Sequence, residues 1–419
     1  MGHDARTGGR PSILLSAFAC GPGHGSEPGV GWGCALAMAA RAEVHVLTTV
    51  EHRADIEREV ASGRLPDTLH FHFFDFPGAA WWWRHGRLRG IQLHYPLWQI
   101  FSARYARRHL DVSRFDRMHH ITFGRYWIPS FLRRSESDPP LVFGPVGGGD
   151  ETPPAFRGTY SFSGRVREWA KRRAERFFTF VFRSRYRFVS VAVAATEETA
   201  DKLRRLVRCP VGVFPQSAIA DADLAALRSL SASAPASATP LFVTACRLIH
   251  WKAVDLAIRA MPAVLGVLPG ARLEIVGEGP EEGRLRKLVR ELRLEGSVRF
   301  VGRYPSQMEL HRKVVSATAL VHPALHESFG QVCLEALALG TPVVCWRHGG
   351  PGVIAAGQPI APVALPEDPS DVAGLAAAMV RAFRSRASFF PPDLVWSRWV
   401  GQMEKIVSAA CGGERSRHE

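Results

Sequence analysis

The sequence has little cysteine, seven residues among 419, and no two of them form a C-x-x-C pair. A disulfide framework and a structural zinc site are therefore not expected, and the thiols read as reduced. No apolar run reaches the length needed to span a bilayer. The opening MGHDARTGGRPS lacks a signal-peptide apolar core, which reads as a cytoplasmic chain. Arg6 stands where myristoylation needs Ser or Thr. No Asp-x-Asp pair stands out as a metal site, and no nucleic-acid motif is present, so neither partner is expected. Acidic residues are also few: 39 Asp and Glu against 53 Lys and Arg leave a net charge of +14. Such a charge implies an acidic partner, and without a nucleic-acid motif an anionic membrane surface ranks first, giving a peripheral association with the inner face of the plasma membrane.

What is present is an α/β rhythm. Hydrophobic content of 46% and charged content of 22% are those of a soluble globular protein. A chain of 419 residues is too long for one core and divides into two or three domains. The organising stretch is HESFGQVCLE, His326 to Glu335. Ala317–His322 before it reads as a buried strand. Val332, Leu334, Ala336, Leu337 and Leu339 after it predict a helix on a sheet, ending at Gly340. Glu327, Ser328, Phe329 and Gly330 then lie between a strand and a helix N-terminus, where free N–H groups and the dipole suit a phosphate. Glu327 and Glu335 reach different parts of one ligand.

The decapeptide resembles the signature of the retaining glycosyltransferases of family 4, the group 1 set, through Glu327, Phe329, Gly330 and Glu335. The resemblance implies a GT-B fold: two Rossmann-like domains facing across a cleft, with a C-terminal helix crossing back to the first. It extends to CGPGHGSEPGVGW, Cys20 to Trp32, which looks like the N-terminal loop of a polysaccharide-assembly subset. There Gly29 and Gly31 would admit the donor diphosphate and sugar, and Ser26 and Glu27 would bind donor or acceptor. The helix after this loop is expected from about Gly33. Asp116, His119 and Thr122 resemble the family's Asp-x-x-His-x-x-Thr strand end, so His119 or His120 would sit beside the sugar. GPVGGG would line the acceptor side with Gly147 and Gly148. Arg247 and Lys252 match the basic pair that clamps the diphosphate, although Cys246 and Ala253 replace the usual glycines. Gly277 and Arg303 fall at stations where backbone would recognise the donor, and Gly349–Gly350 resemble the family's later glycine pair.

The boundaries expected are an acceptor-binding domain over 1–228, a linker over 229–240, a nucleotide-sugar domain over 241–390, a crossover helix over 391–410 and a disordered tail over 411–419. Two basic stretches stay open. Trp81–Arg89 is a packed loop or a membrane-interface contact. The 164–188 segment carries Val166, Trp169, Ala170, Ala174, Phe177, Phe178 and Val181 at helical spacing. It either lies on an anionic membrane or covers the sheet with a solvated basic face.

The activity implied is metal-independent, retaining transfer of a hexose from a nucleoside diphosphate sugar, UDP-linked by preference, to a glycan or lipid-linked acceptor in cell-surface polysaccharide synthesis. No further cofactor is implied. The rivals are a sugar-nucleotide epimerase of the same fold and an inactive membrane-docked partner.

Overall fold

The computed structural model describes residues 10–78, 91–233, 239–384, 389–391 and 394–415. The Trp81–Arg89 stretch lies outside them. The chain forms two compact units. The first comprises Met1–Gly149, Glu175–Ala218 and Trp396–Glu419, the second Asp150–Ala174 and Ile219–Val395.

The first unit holds strands β1 (Ser12–Ala17), β2 (Glu43–Thr48), β3 (Leu69–Phe73), β4 (Arg117–Ile121), β5 (Leu141–Val146), β6 (Val191–Ala194) and β7 (Val211–Val213). They form one parallel sheet in the order β3-β2-β1-β4-β5-β6-β7. The second unit holds β8 (Leu241–Ala245), β9 (Arg272–Val276), β10 (Val298–Gly302), β11 (Ala319–His322) and β12 (Val343–Cys345), parallel in the order β10-β9-β8-β11-β12. Central strands such as β5 and β11 are buried along their whole length, which is why they read as unbroken apolar runs rather than alternating ones. The strand order reverses beside β1 in the first sheet and beside β8 in the second. At such a switch point the loops leaving adjacent strands diverge and leave a crevice.

Several expected boundaries differ. The first helix runs over Ser26–Ala39, so Gly29 and Gly31 lie inside it and not in a preceding turn. Their faces are occupied by the chain itself: a Cβ at Gly29 would sit 2.2 Å from the His24 carbonyl oxygen, and one at Gly31 2.1 Å from that of Ala19. A helix spans Asp221–Ser233, so the segment read as a linker from 229 begins as helix. Asp150–Ala174 joins the second unit, which no composition shift announced. The last helix, Trp396–Arg415, extends into the stretch read as a disordered tail. It belongs to the first unit, where Trp396 fills the space left by Gly33, Trp399 Nε1 donates to the Pro215 carbonyl at 2.8 Å, and Glu404 accepts from Arg117.

The helix Phe162–Phe182 turns the larger part of its apolar stripe to solvent. Gly164, Glu168, Lys171, Glu175 and Phe178 share the inner face. Phe162, Val166, Trp169, Arg173, Phe177 and Phe180 fall within about 80° of one outward line at 100° per residue. Phe162 is 75% exposed, Trp169 61%, Phe177 61% and Phe180 82%. The reading in which this helix covers a sheet with its apolar stripe is therefore corrected. The inner side is fixed by polar bonds, Glu175 accepting from Tyr126 and from Lys202 Nζ and Glu168 from His250 Nε2 at 3.1 Å, and by Phe178, whose ring stacks on Trp127 at 5.6 Å.

Candidate functional site

In the second unit, the loops after β8 and β11 flank the switch point, and they are joined by a backbone bond from Leu325 N–H to the Trp251 carbonyl, 2.8 Å. Lys252 closes a short turn over His250–Lys252. Ala253 behind it is left-handed, at φ 47°, in the position where the family pattern has glycine. This turn and the following helix, Val254–Val267, direct the Lys252 ammonium at Glu327, to which it donates a hydrogen bond. His322, the last residue of β11, places Nε2 2.5 Å from the same Glu327 oxygen. Burial by itself would raise the Glu327 pKa, but Lys252 and His322 outweigh it and hold the carboxyl well below the usual range. Burial likewise opposes the Lys252 charge, and Glu327 more than offsets this and raises its pKa. Both groups are therefore ionised at neutral pH.

The loop that carries Glu327 is held by a glycine pair. Gly350 N–H donates to the Glu327 carbonyl at 2.8 Å, and a Cβ on Gly350 would lie 2.4 Å from Phe329 Cα. Gly349, at φ 61°, approaches the Glu327 carbonyl equally closely, with a Cβ contact of 2.6 Å. Gly330, at φ 87°, caps the helix Gln331–Ala338. The Phe329 ring is buried in the core, so only its backbone is available to a ligand. Ser328 Oγ donates to Asp150 at 2.5 Å. Glu335, about one turn into the helix, accepts from Gln307 Nε2 at 2.8 Å and lies 3.2 Å from His311 Nε2.

Arg247, on the same loop as Lys252, is exposed and makes no ion pair among the described residues. Gly277, at φ 128°, lets β9 end against the Cys246 carbonyl, where a Cβ would stand 1.9 Å away. Arg303 is exposed and pairs with Glu278 at 3.0 Å. The structure thus brings Lys252 and Glu327 into contact and sets Glu335 on the following helix. Sequence reasoning missed His322, Glu168 and the Gln307–His311 pair. Glu168 lies 3.1 Å from His250, two residues before Lys252, and 3.5 Å from His326, the residue before Glu327. His322 was visible only as the end of a strand; the others come from distant segments and leave no local signal.

In the first unit, Glu27 Oε atoms accept from Phe123 N–H at 2.8 Å and from Gln216 Nε2 at 3.0 Å, and burial raises its pKa. Ser26 beside it is exposed, at φ 59°. Gly147 N–H donates to Gly124, and a Cβ added at Gly148, φ 84°, would meet Trp127 Nε1 at 3.9 Å, an ordinary contact. His119 and His120 are wholly buried within β4. His119 Nε2 bonds the Gly144 carbonyl at 2.6 Å, and His120 Nε2 the Tyr95 hydroxyl at 3.0 Å. The Asp-x-x-His-x-x-Thr pattern also bonds backbone: Asp116 accepts from Ser12 N–H at 2.7 Å and Thr122 from Ala19 N–H at 3.2 Å. These residues tie β4 to its neighbours.

Residues 230–383 match the family described as glycosyl transferases group 1, and this part of the chain is a domain of that kind. Glycogen synthase of Mycobacterium tuberculosis is 36% identical over 183 residues, covering 40% of this chain and 42% of that protein. A GDP-mannose-dependent monoacylated alpha-(1-6)-phosphatidylinositol monomannoside mannosyltransferase of Corynebacterium glutamicum is 35% identical over 119 residues, covering 27% of this chain and 30% of its own length. The chain thus spans less than half the length of these curated relatives. HepE of Anabaena, solved with UDP and glucose, aligns over 96% of this chain and 100% of its own at a TM-score of 0.55 and 17% identity, a likeness of fold.

Proposed function

We propose that this chain, whose residues 230–383 form a group 1 glycosyltransferase domain, moves a hexose from a UDP-sugar to a glycan or lipid-linked acceptor, with retention and without a metal, in the synthesis of a cell-surface polysaccharide. The observation that carries this reading is the Lys252–Glu327–His322 cluster at the switch point of the second sheet. Breaking the anomeric bond puts negative charge on the β-phosphate oxygen and positive charge on the sugar ring. Lys252, the unpaired Arg247 and the N–H groups opening the Gln331–Ala338 helix stabilise the departing diphosphate. Glu327, held ionised, faces the sugar and its positive ring. Glu335 takes the ribose hydroxyls, and the departing phosphate accepts the acceptor's proton. In the first unit, Ser26, Glu27, Gly147 and Gly148 are assigned to the acceptor side. His119 and His120 act, on this reading, by fixing the strand that leads to Phe123.

Incubation with labelled UDP-, GDP- and ADP-sugars tests this. Slow release of UDP, lost in Lys252→Ala, is expected. An altered sugar on intact nucleotide would make the protein an epimerase, and no turnover with any donor would make it a scaffold.

The same reading places the enzyme at an anionic membrane. Among the described residues no helix is long and apolar enough to cross one. The outward ridge of the Phe162–Phe182 helix instead offers aromatic rings to the interface, flanked by exposed Arg165, Arg167, Arg173 and Arg176. Both acidic residues of this helix, Glu168 and Glu175, face inward in ion pairs, so nothing on the ridge repels anionic lipid. Flotation with phosphatidylglycerol vesicles should carry the protein, neutral vesicles should carry much less, and a Trp169→Ser/Phe177→Ser/Phe180→Ser variant should stay in solution. A ridge that instead drives concentration-dependent dimers without vesicle binding would overturn the assignment.

A further inference from the structure

The first sheet carries a second cluster of chemistry-bearing side chains, at the end away from Glu27. Glu43 and His45 alternate along β2, and His70 and His72 along β3, so all four point to one face of the sheet. His45 and His70 are register partners, with ring centroids 4.6 Å apart. His45 Nε2 lies 3.2 Å from Glu43 Oε1, and His70 Nε2 lies 3.6 Å from the same oxygen. One ligand atom from each of Glu43, His45 and His70 falls within 4.8 Å of the other two.

We propose that Glu43, His45 and His70 form a zinc site that clips the edge strand β3 to β2. Zinc takes imidazole nitrogen and carboxylate oxygen at about 2.0–2.2 Å in a tetrahedron, so its ligand atoms stand about 3.3–3.5 Å apart. The distances from Glu43 to the two imidazoles bracket that spacing. Solvent supplies the fourth position, because Glu43 and His70 are partly exposed. His72 completes the arrangement from behind. Its Nε2 lies 2.9 Å from His45 Nδ1, the outer-shell bond that fixes the tautomer and orientation of a ligating histidine. The cysteine-poor sequence gave no hint of zinc, because these ligands sit on two strands and meet only when the strands pair.

Arg114 is the competing cation. Its Nη2 lies 3.2 Å from His45 Nε2 and 3.3 Å from Nδ1, with the guanidinium over the Phe115 ring at 5.2 Å, and this exposed side chain must swing away when the metal arrives. A second group, His24, His52 and Asp55, also gathers three ligand atoms. It is built on a loop and the start of a short helix rather than on two paired strands.

The test is titration of the metal-stripped full chain with zinc alone against a chromogenic chelator, repeated with cobalt to read the visible bands of a tetrahedral site. One equivalent is expected to bind and to raise the melting temperature. Glu43→Gln and His70→Ala should each weaken binding at least ten-fold with the fold intact by circular dichroism. His72→Ala should weaken it less, and Arg114→Ala should tighten it several-fold. Loss of binding on His52→Ala but not on His70→Ala would overturn the assignment, as would an affinity no better than that of the Glu43→Gln/His70→Ala double variant. The readout needs no donor or acceptor, so it stands or falls apart from the transferase reading.

Discussion

Lys252 Nζ and His322 Nε2 both engage Oε2 of Glu327, which leaves the other carboxylate oxygen of that residue untouched by either. One oxygen is spent on positioning, and the second is held ionised for a ligand. A lysine and a glutamate far apart in the sequence meet because β8 and β11 are neighbours at the point where the strand order reverses.

The pair is mostly buried, with the Lys252 side chain 13% exposed and that of Glu327 21%. Lys252→Ala is expected to destabilise the protein by about 3 kcal/mol, because a shielded carboxylate loses its ammonium. The double variant Lys252→Ala/Glu327→Gln should cost less than the sum of the single changes. Urea unfolding in a double-mutant cycle measures the difference. Turnover in Lys252→Ala should fall by roughly a hundred-fold or more.

Arg247 behaves oppositely, because it is exposed and makes no ion pair among the described residues. Arg247→Ala should change unfolding free energy by less than about 0.5 kcal/mol. It should nevertheless weaken UDP binding roughly ten-fold, the worth of one charge-assisted hydrogen bond. Calorimetry with UDP and a urea melt together separate the two effects.

Gly350→Ala tests the support of the Glu327 loop. The added methyl would stand 2.4 Å from Phe329 Cα, so the backbone must move. A loss of about 1–3 kcal/mol is expected, with donor affinity falling in parallel although no ligand contact is changed. Unfolding midpoint and UDP affinity, measured on the same sample, check it.

His119 and His120 predict acid sensitivity of the first unit. Burial is the main cause in each and lowers their pKa to about 4 and about 3. A histidine kept neutral in the fold is most favourable above its unfolded pKa near 6.5, and its contribution is lost as pH falls from there toward 4 and 3. Each should cost about 2 kcal/mol by pH 5. Urea midpoints between pH 7 and 5 should fall steeply. His120→Phe should flatten the slope, since the ring already stacks on Phe143 at 5.3 Å and Tyr95 keeps Gln99.

The sequence by itself determined the parallel α/β architecture, because strands buried on both faces must be written as unbroken apolar runs and their glycine-bounded helices follow. It also determined which loop carries Glu327 and which carries Lys252, since both follow a legible strand. Only the tertiary structure decided that His322 and Glu168 join them, and that Gly29 and Gly31 admit the chain's own carbonyls. It alone decided that the aromatic stripe of Phe162–Phe182 faces outward, because helical spacing defines a face but not the direction in which it points. The Glu43–His45–His70 cluster was invisible for a related reason: each strand contributes an ordinary alternating pair, and register, which no single segment encodes, brings the pairs together.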